Sequence, residues 1–215
     1  MTLSTMLSTM AVGMRRTFLI FILTLVGSLP LGLLVAVMRK SRFKPVRIFT
    51  RAFISVIRGT PLMLQLLVWY FGPYYLFGWS IRNWRFPALI TGFVLNYAAY
   101  FAEIYRGGIE SIPVGQYEAS SVLGYSKAQT FFYIILPQVI KRILPSITNE
   151  VITLVKDTSM AFTLAYQEVF SLAKQISASQ TSFMPFLIAG VFYFVANYIV
   201  EFVMGRIEKS LDYYK

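Results

Sequence analysis

The stretch RGGIESIPVGQYEASSVLGYSKAQTFFYIILP, Arg106–Pro137, is a polar interlude between two strongly apolar regions. Pro113 suits the first turn of a helix, where its missing N–H leaves no bond unmade. Gly124 suits the position just past a helix end, where the chain turns through a left-handed conformation. Between them Val114, Tyr117 and Leu123 share one flank, while Glu118, Ser120 and Ser121 stay polar. A helix this short and hydrophilic does not cross lipid. It lies among the headgroups or docks on a partner.

The flanking sequence is membrane-like. The chain has 215 residues, 57% of them hydrophobic and 13% charged, with a mean hydropathy of +0.63, which is enough apolar sequence for several spans. One span runs from about Phe86 into the quoted stretch. The next enters near Phe131 or Ile143, with Pro137 and Pro145 making its early part irregular, and rises past Glu150 to Val155. Thr17–Met38 is the clearest span, with Pro30 and Gly32 expected to bend it and Gly27 to permit a close helix contact. Residues 1–16 read as a surface helix or a frayed end. A second span, about Ala52–Phe77, is expected to kink at Pro61. Gly72–Arg85 reads as an external loop with interfacial Trp and Tyr. Lys156–Ser159 interrupts the pattern, Met160–Ala173 is too short to cross, and Phe183–Met204 is the last span before a polar tail at Gly205–Lys215. The expected fold is therefore all-α, about five transmembrane helices in a single domain.

Zero Cys and zero His exclude thiolate and imidazole metal sites, thiol nucleophiles, His-ligated haem and a Ser-His-Asp triad. No G-x-x-x-x-G-K-[S/T] phosphate loop occurs, so no cofactor is expected here and an ATP-driven step needs another subunit. The net charge of +11 is explained by cytoplasmic retention of basic residues rather than by nucleic acid. With the N-terminus outside and the C-terminus cytoplasmic, the basic run Arg39–Arg47, Arg51, Arg106, Lys127, Lys141, Arg142, Arg206, Lys209 and Lys215 fall inside, against Arg82, Arg85 and Lys174 outside; Arg15-Arg16 runs counter to this orientation. Arg58 reads as an interfacial charge that snorkels.

Glu103, Glu150, Asp157 and Glu201 lie within or beside apolar runs. A charge at the bilayer centre costs roughly 2.5–3.5 kcal/mol on insertion scales, so such groups face a partner or a wet cavity. Internal pairing with Lys156 or Arg106 is the plainer account. The sharper one joins two helices. Asn96, Tyr100 and Glu103 share a face at i, i+4 and i+7, as do Glu150, Leu154 and Asp157. If these faces meet, they form an acidic, aromatic-lined pocket. Thr158 or Ser159 is expected to N-cap the short helix that follows, whose free N–H groups would accept a carboxylate. Such a site would take a carboxylate at the helix start and a cationic group at the acids.

Glu118-Ala119, Gly124, Ile134 and Leu136-Pro137 are spaced as in the Glu-Ala-Ala loop of ABC importer permeases, which this chain resembles; Ser120 stands where the family has a second alanine. RGTPLMLQL at Arg58–Leu66 and KDTS at Lys156–Ser159 resemble the permeases for polar amino acids. The resemblance implies a type I importer fold in the bacterial inner membrane. It also implies that Tyr117, Glu118, Ala119, Ser120, Ser121 and Gly124 form a coupling helix seated on a separate ATPase subunit. Two such ATPases would bind the ATP and Mg, beside a second permease subunit expected to be identical and an extracytoplasmic binding protein. Arginine, lysine or histidine is the expected substrate, with glutamine- or glutamate-type amino acids as the alternative. Two rivals remain: an ion-gradient-driven carrier using Glu103 and Glu150, and a membrane anchor without transport.

Overall fold

Among the described residues, 2–211 of the computed structural model, every regular element is helical. Residues 212–215, the end of the polar tail with Lys215, lie outside the described residues. Helices α1 (Leu3–Arg39), α4 (Arg85–Glu110) and α9 (Met184–Ser210), and the continuous run Lys127–Leu164, are long and apolar enough to cross a membrane. The pair α2 (Lys44–Gly59) and α3 (Leu62–Phe77) makes a fifth crossing only if it is counted as one span, because it is bent by 114°.

That bend is larger than the expected kink. Pro61 has no N–H to continue a helical ladder, and it forces Thr60 into extended backbone at φ −123°, ψ 147°. Two separate helices result, and α2 begins at Lys44, eight residues before the expected start. Pro30, by contrast, is carried inside an unbroken α1. Residues 3–16 are neither frayed nor separate, since α1 includes them and buries Met6, Met10, Gly13 and Met14 on one stripe. The external loop is shorter than expected, because α3 runs through Pro73 to Phe77 and ends on Gly78 at φ +67°.

The segment after Asp157 also departs from expectation. Helix α7 (Leu136–Asp157) passes directly into a 3-10 turn, Thr158–Leu164, and α8 (Val169–Gln180) follows after Ala165 at φ +51°. Neither piece approaches the roughly 20 residues needed to span. The entry to α7 settles between the two expected positions. A capping box at Ser126/Gln129 starts a one-turn helix, α6 (Lys127–Gln129), and a π turn, Thr130–Ile135, precedes Pro137. The π turn absorbs the bond that Pro137 cannot donate, and the Gln138 side chain donates to the Ile134 carbonyl at 2.8 Å.

Helix α4 is the hub, and α1 lies alongside it, running in the same direction. A Cβ at Gly27 would stand 2.8 Å from Val94, and one at Gly32 2.8 Å from Phe101, so small residues set this close approach. Arg39 at the end of α1 pairs with Glu103 near the end of α4. Gly108 abuts Ile143 at the start of α7, and Thr148 donates to Glu208 near the end of α9 at 2.6 Å. These contacts gather Arg39, Arg106, Arg142 and Lys209 at one end of the molecule, beside α5 (Val114–Val122). The opposite end carries Arg16, whose guanidinium donates to Gln167.

Candidate functional site

The break between α2 and α3 opens a cavity of about 320 Å³ lined by Thr60, Pro61, Leu62, Asn96, Tyr97, Tyr100, Glu150, Thr153 and Asp157. The break frees the carbonyls of buried Ile57 and of Thr60, and Gln65 serves both. Its amide nitrogen donates to Ile57 O at 2.7 Å and to Thr60 O and Oγ1 at 3.0 and 2.9 Å. Its oxygen accepts from Asn96 Nδ2 at 2.9 Å. One buried glutamine thus ties the bend to α4. Gln65→Leu would leave the Ile57 carbonyl and the Asn96 amide, both on buried residues, unpaired, at about 1–3 kcal/mol each. The purified chain in detergent should then melt several degrees lower; an unchanged midpoint would show that the break holds without the glutamine.

The expected meeting of two helix faces is seen, with different members. Asn96 and Tyr100 from α4 face Glu150 and Asp157 from α7. Asn96 is nearly buried and committed to Gln65. Tyr97, which periodicity assigned to no face, donates its hydroxyl to Asp157 Oδ2 at 2.8 Å. Glu150 forms no hydrogen bond or ion pair among the described residues, and it is the free anionic wall of the cavity.

Four expected pocket residues fall elsewhere. Glu103 is neutralised internally, which is the plainer account of it: Arg39 pairs with it directly, Arg106 Nη2 lies 2.9 Å away and Arg58 Nη1 3.8 Å. It lines a separate cavity with Arg39, Arg51, Ser55, Arg58 and Tyr100. Leu154 is fully buried in the core. Thr158 is also fully buried, in helical backbone, with its hydroxyl donating to Val155 O at 2.6 Å. Ser159 continues the same 3-10 turn. The chain stays helical through Asp157–Thr158, so no free helix start exists there and neither hydroxyl caps one. The helix start that does reach the cavity is that of α3 at Pro61–Leu62. Its first N–H groups lack intrahelical partners and carry the positive end of the dipole. The sequence signal for it was Pro61 itself.

A further carboxylate was missed. Glu168 is completely buried, accepts from the Phe170 and Ser171 N–H groups at 2.7 and 2.6 Å and from the Tyr193 hydroxyl at 2.7 Å, and so caps α8. Its satisfied geometry makes it structural. The signal available was an acid just before a helical run.

Helix α5 stands at the basic end of the molecule. Pro113 precedes its first turn, as N-cap rather than within it. Gly124 is left-handed at φ +76°, with Gly124 N–H bonded to Ser121 O and Tyr125 N–H to Ser120 O, both at 3.1 Å, a Schellman ending. Val114, Tyr117, Glu118, Ala119, Ser121, Val122 and Leu123 are exposed. Ser120 is the exception: it is buried against its own chain, with its hydroxyl on Gln116 O at 2.6 Å. Its small size serves internal packing, not an outside partner. Gln138 Nε2 reaches Gln116 Oε1 at 3.1 Å and Arg142 binds Ser111 O, so α5 is tethered to α7. A concavity of about 660 Å³ beside it, lined by Gln116, Tyr133, Pro137 and Lys141 among others, is largely apolar, with no acid in its lining among the described residues.

Residues 28–213 match the family model described as binding-protein-dependent transport system inner membrane component. The chain is 34% identical over 205 residues to the L-cystine transport system permease protein TcyB of Bacillus subtilis, covering 94% of this chain and 86% of that protein. It is 36% identical over 200 residues to the arginine transport system permease protein ArtQ of the same species, covering 93% and 90%. A crystal structure of an amino acid ABC transporter with histidines superposes with a TM-score of 0.86 at 32% identity, covering 94% of each chain.

Proposed function

The chain belongs to the family of binding-protein-dependent transport system inner membrane components, and from that premise we propose that it is the permease subunit of an importer for basic amino acids. Its role as a transmembrane permease of an amino-acid ABC importer follows from the family; the basic substrate is the finer reading. Relatives named for cystine and for arginine leave that choice to the site.

The observation that carries it is the polarity of the cavity. One wall presents Glu150, without a hydrogen bond or ion pair among the described residues, and, beside it, Asp157; the other presents the start of α3. An amino acid is a zwitterion, and its carboxylate suits a helix start while a cationic side chain suits the two acids. Discontinuous helices near the midplane are a recurring way to build such sites. Asn96 and Tyr100 complete the walls. Transport is by alternating access: two partner ATPases bind ATP and Mg, move α5 through Tyr117, Glu118, Ala119 and Ser121, and the tether to α7 carries that motion to Glu150. A second copy of the chain closes the path, and an extracytoplasmic binding protein delivers substrate. The basic end of the molecule faces the cytoplasm, which puts the N-terminus outside.

Reconstitution of the chain with its ATPase subunits and binding protein should give ATP-dependent uptake of arginine in preference to glutamine and cystine. Uptake of glutamine or cystine with arginine excluded would end the basic reading. Arginine uptake that persists without the ATPase subunits would favour the ion-gradient carrier.

A further inference from the structure

Arg58 stands at the partition between two cavities. Its guanidinium carbon lies 5.2 Å from the centroid of the Tyr100 ring, and Tyr100 lines both the zwitterion cavity and the arginine-rich cavity of about 450 Å³. Arg58 is the loosest of the three arginines around Glu103. It is 3.8 Å away and its side chain is 44% exposed, against 29% for Arg106 and 22% for Arg39. Glu103 keeps two closer guanidinium partners if Arg58 leaves. Gly59 follows directly, with nothing within 4 Å of where a Cβ would sit, so open space lies beside the end of α2.

The zwitterion cavity has an electrostatic deficit. A carboxylate entering beside Glu150 and Asp157 meets like charge, and a helix start supplies only partial positive charge. Two carboxylates sharing a site with an incoming third call for a full cation. A guanidinium also matches a carboxylate with two parallel N–H donors.

We propose that Arg58 is the ligand for the substrate's α-carboxylate, held by Glu103 and Tyr100 in this structure and moving past the Tyr100 ring onto the carboxylate when an amino acid occupies the cavity. The assignment rests on the reading of that cavity as the amino-acid site. It gives Glu103 a function that pocket-lining does not: it is the counter-ion that holds Arg58 within reach.

The test is equilibrium binding of radiolabelled arginine to the assembled transporter in nanodiscs, competed by agmatine, which is arginine without its carboxylate. Arg58→Gln should weaken arginine about tenfold or more while moving agmatine less than about twofold, because only arginine carries the partner for the fork. Arg58→Lys, which keeps the charge and loses the fork, should fall between; it also serves if the glutamine variant does not assemble. Equal losses for both ligands, or no loss for arginine, overturn the assignment. Glu150→Gln separates this from the parent reading: it should weaken arginine and agmatine together. If it moves neither, the cavity is not the amino-acid site and the role of Arg58 falls with it.

Discussion

Replacing Glu150 with glutamine is expected to weaken arginine binding by the assembled transporter about 10–100-fold, with glutamine affinity held within about twofold. Glu150 is half-buried at the cavity wall and makes no hydrogen bond or ion pair among the described residues. A carboxylate in that position has already lost part of its hydration, and a cationic side chain restores what was lost. A hydrogen bond to a charged group is worth roughly 1.5–3 kcal/mol net, which sets the expected range. Asp157→Asn should cost less, since Tyr97 already occupies one of the Asp157 oxygens. The measurement is the arginine concentration that half-maximally stimulates ATP hydrolysis in proteoliposomes. An unchanged value in Glu150→Gln would remove Glu150 from cation recognition.

The second large effect is expected at Gly124. Its φ of +76° is left-handed, and nothing stands within 4 Å of the position a Cβ would take. Space is therefore not the constraint; backbone conformation is. An L side chain in this region costs about 1–2 kcal/mol, and a β-branched one fits it worst. Gly124→Val should therefore depopulate the Schellman ending of α5 by about 5–30-fold and reorient the exposed flank that we propose seats on the partner ATPase. Uptake should fall by a similar factor, with membrane insertion and thermal melting close to wild type because the residue touches no core. Gly124→Asn, which tolerates left-handed backbone, should keep most transport. Wild-type uptake by Gly124→Val would refute the coupling role of α5.

The surface helix was legible because its signals are local. A proline before the first turn, a glycine after the last and an apolar flank between them depend on the order of neighbours along the chain. The same holds for the long spans, whose length and hydropathy need no tertiary information. Reading failed where the outcome depended on which group won a shared partner. Glu103 and Glu150 look alike in sequence, each an acid in an apolar run. Three arginines from α1, α2 and α4 converge on Glu103, and none pairs with Glu150. Ser120 looked like part of a polar face of α5 and proved to be buried, with its hydroxyl turned back onto Gln116 O of the same helix.

The break in the polypeptide that matters was likewise misplaced by the periodic pattern. Lys156–Ser159 is polar enough to suggest a gap, but its backbone bonds continue from α helix into 3-10 turn. Pro61 sits in apolar sequence and produces the 114° bend, because hydrogen-bonding capacity, not polarity, decides where a helix stops. Sequence alone determined that this chain is a helical membrane protein with an exposed helix at one end, since hydropathy and chain-neighbour chemistry act over a few residues. Tertiary structure decided which carboxylate is free and which helix start faces it. Those depend on distances between α3, α4 and α7 that no single stretch encodes.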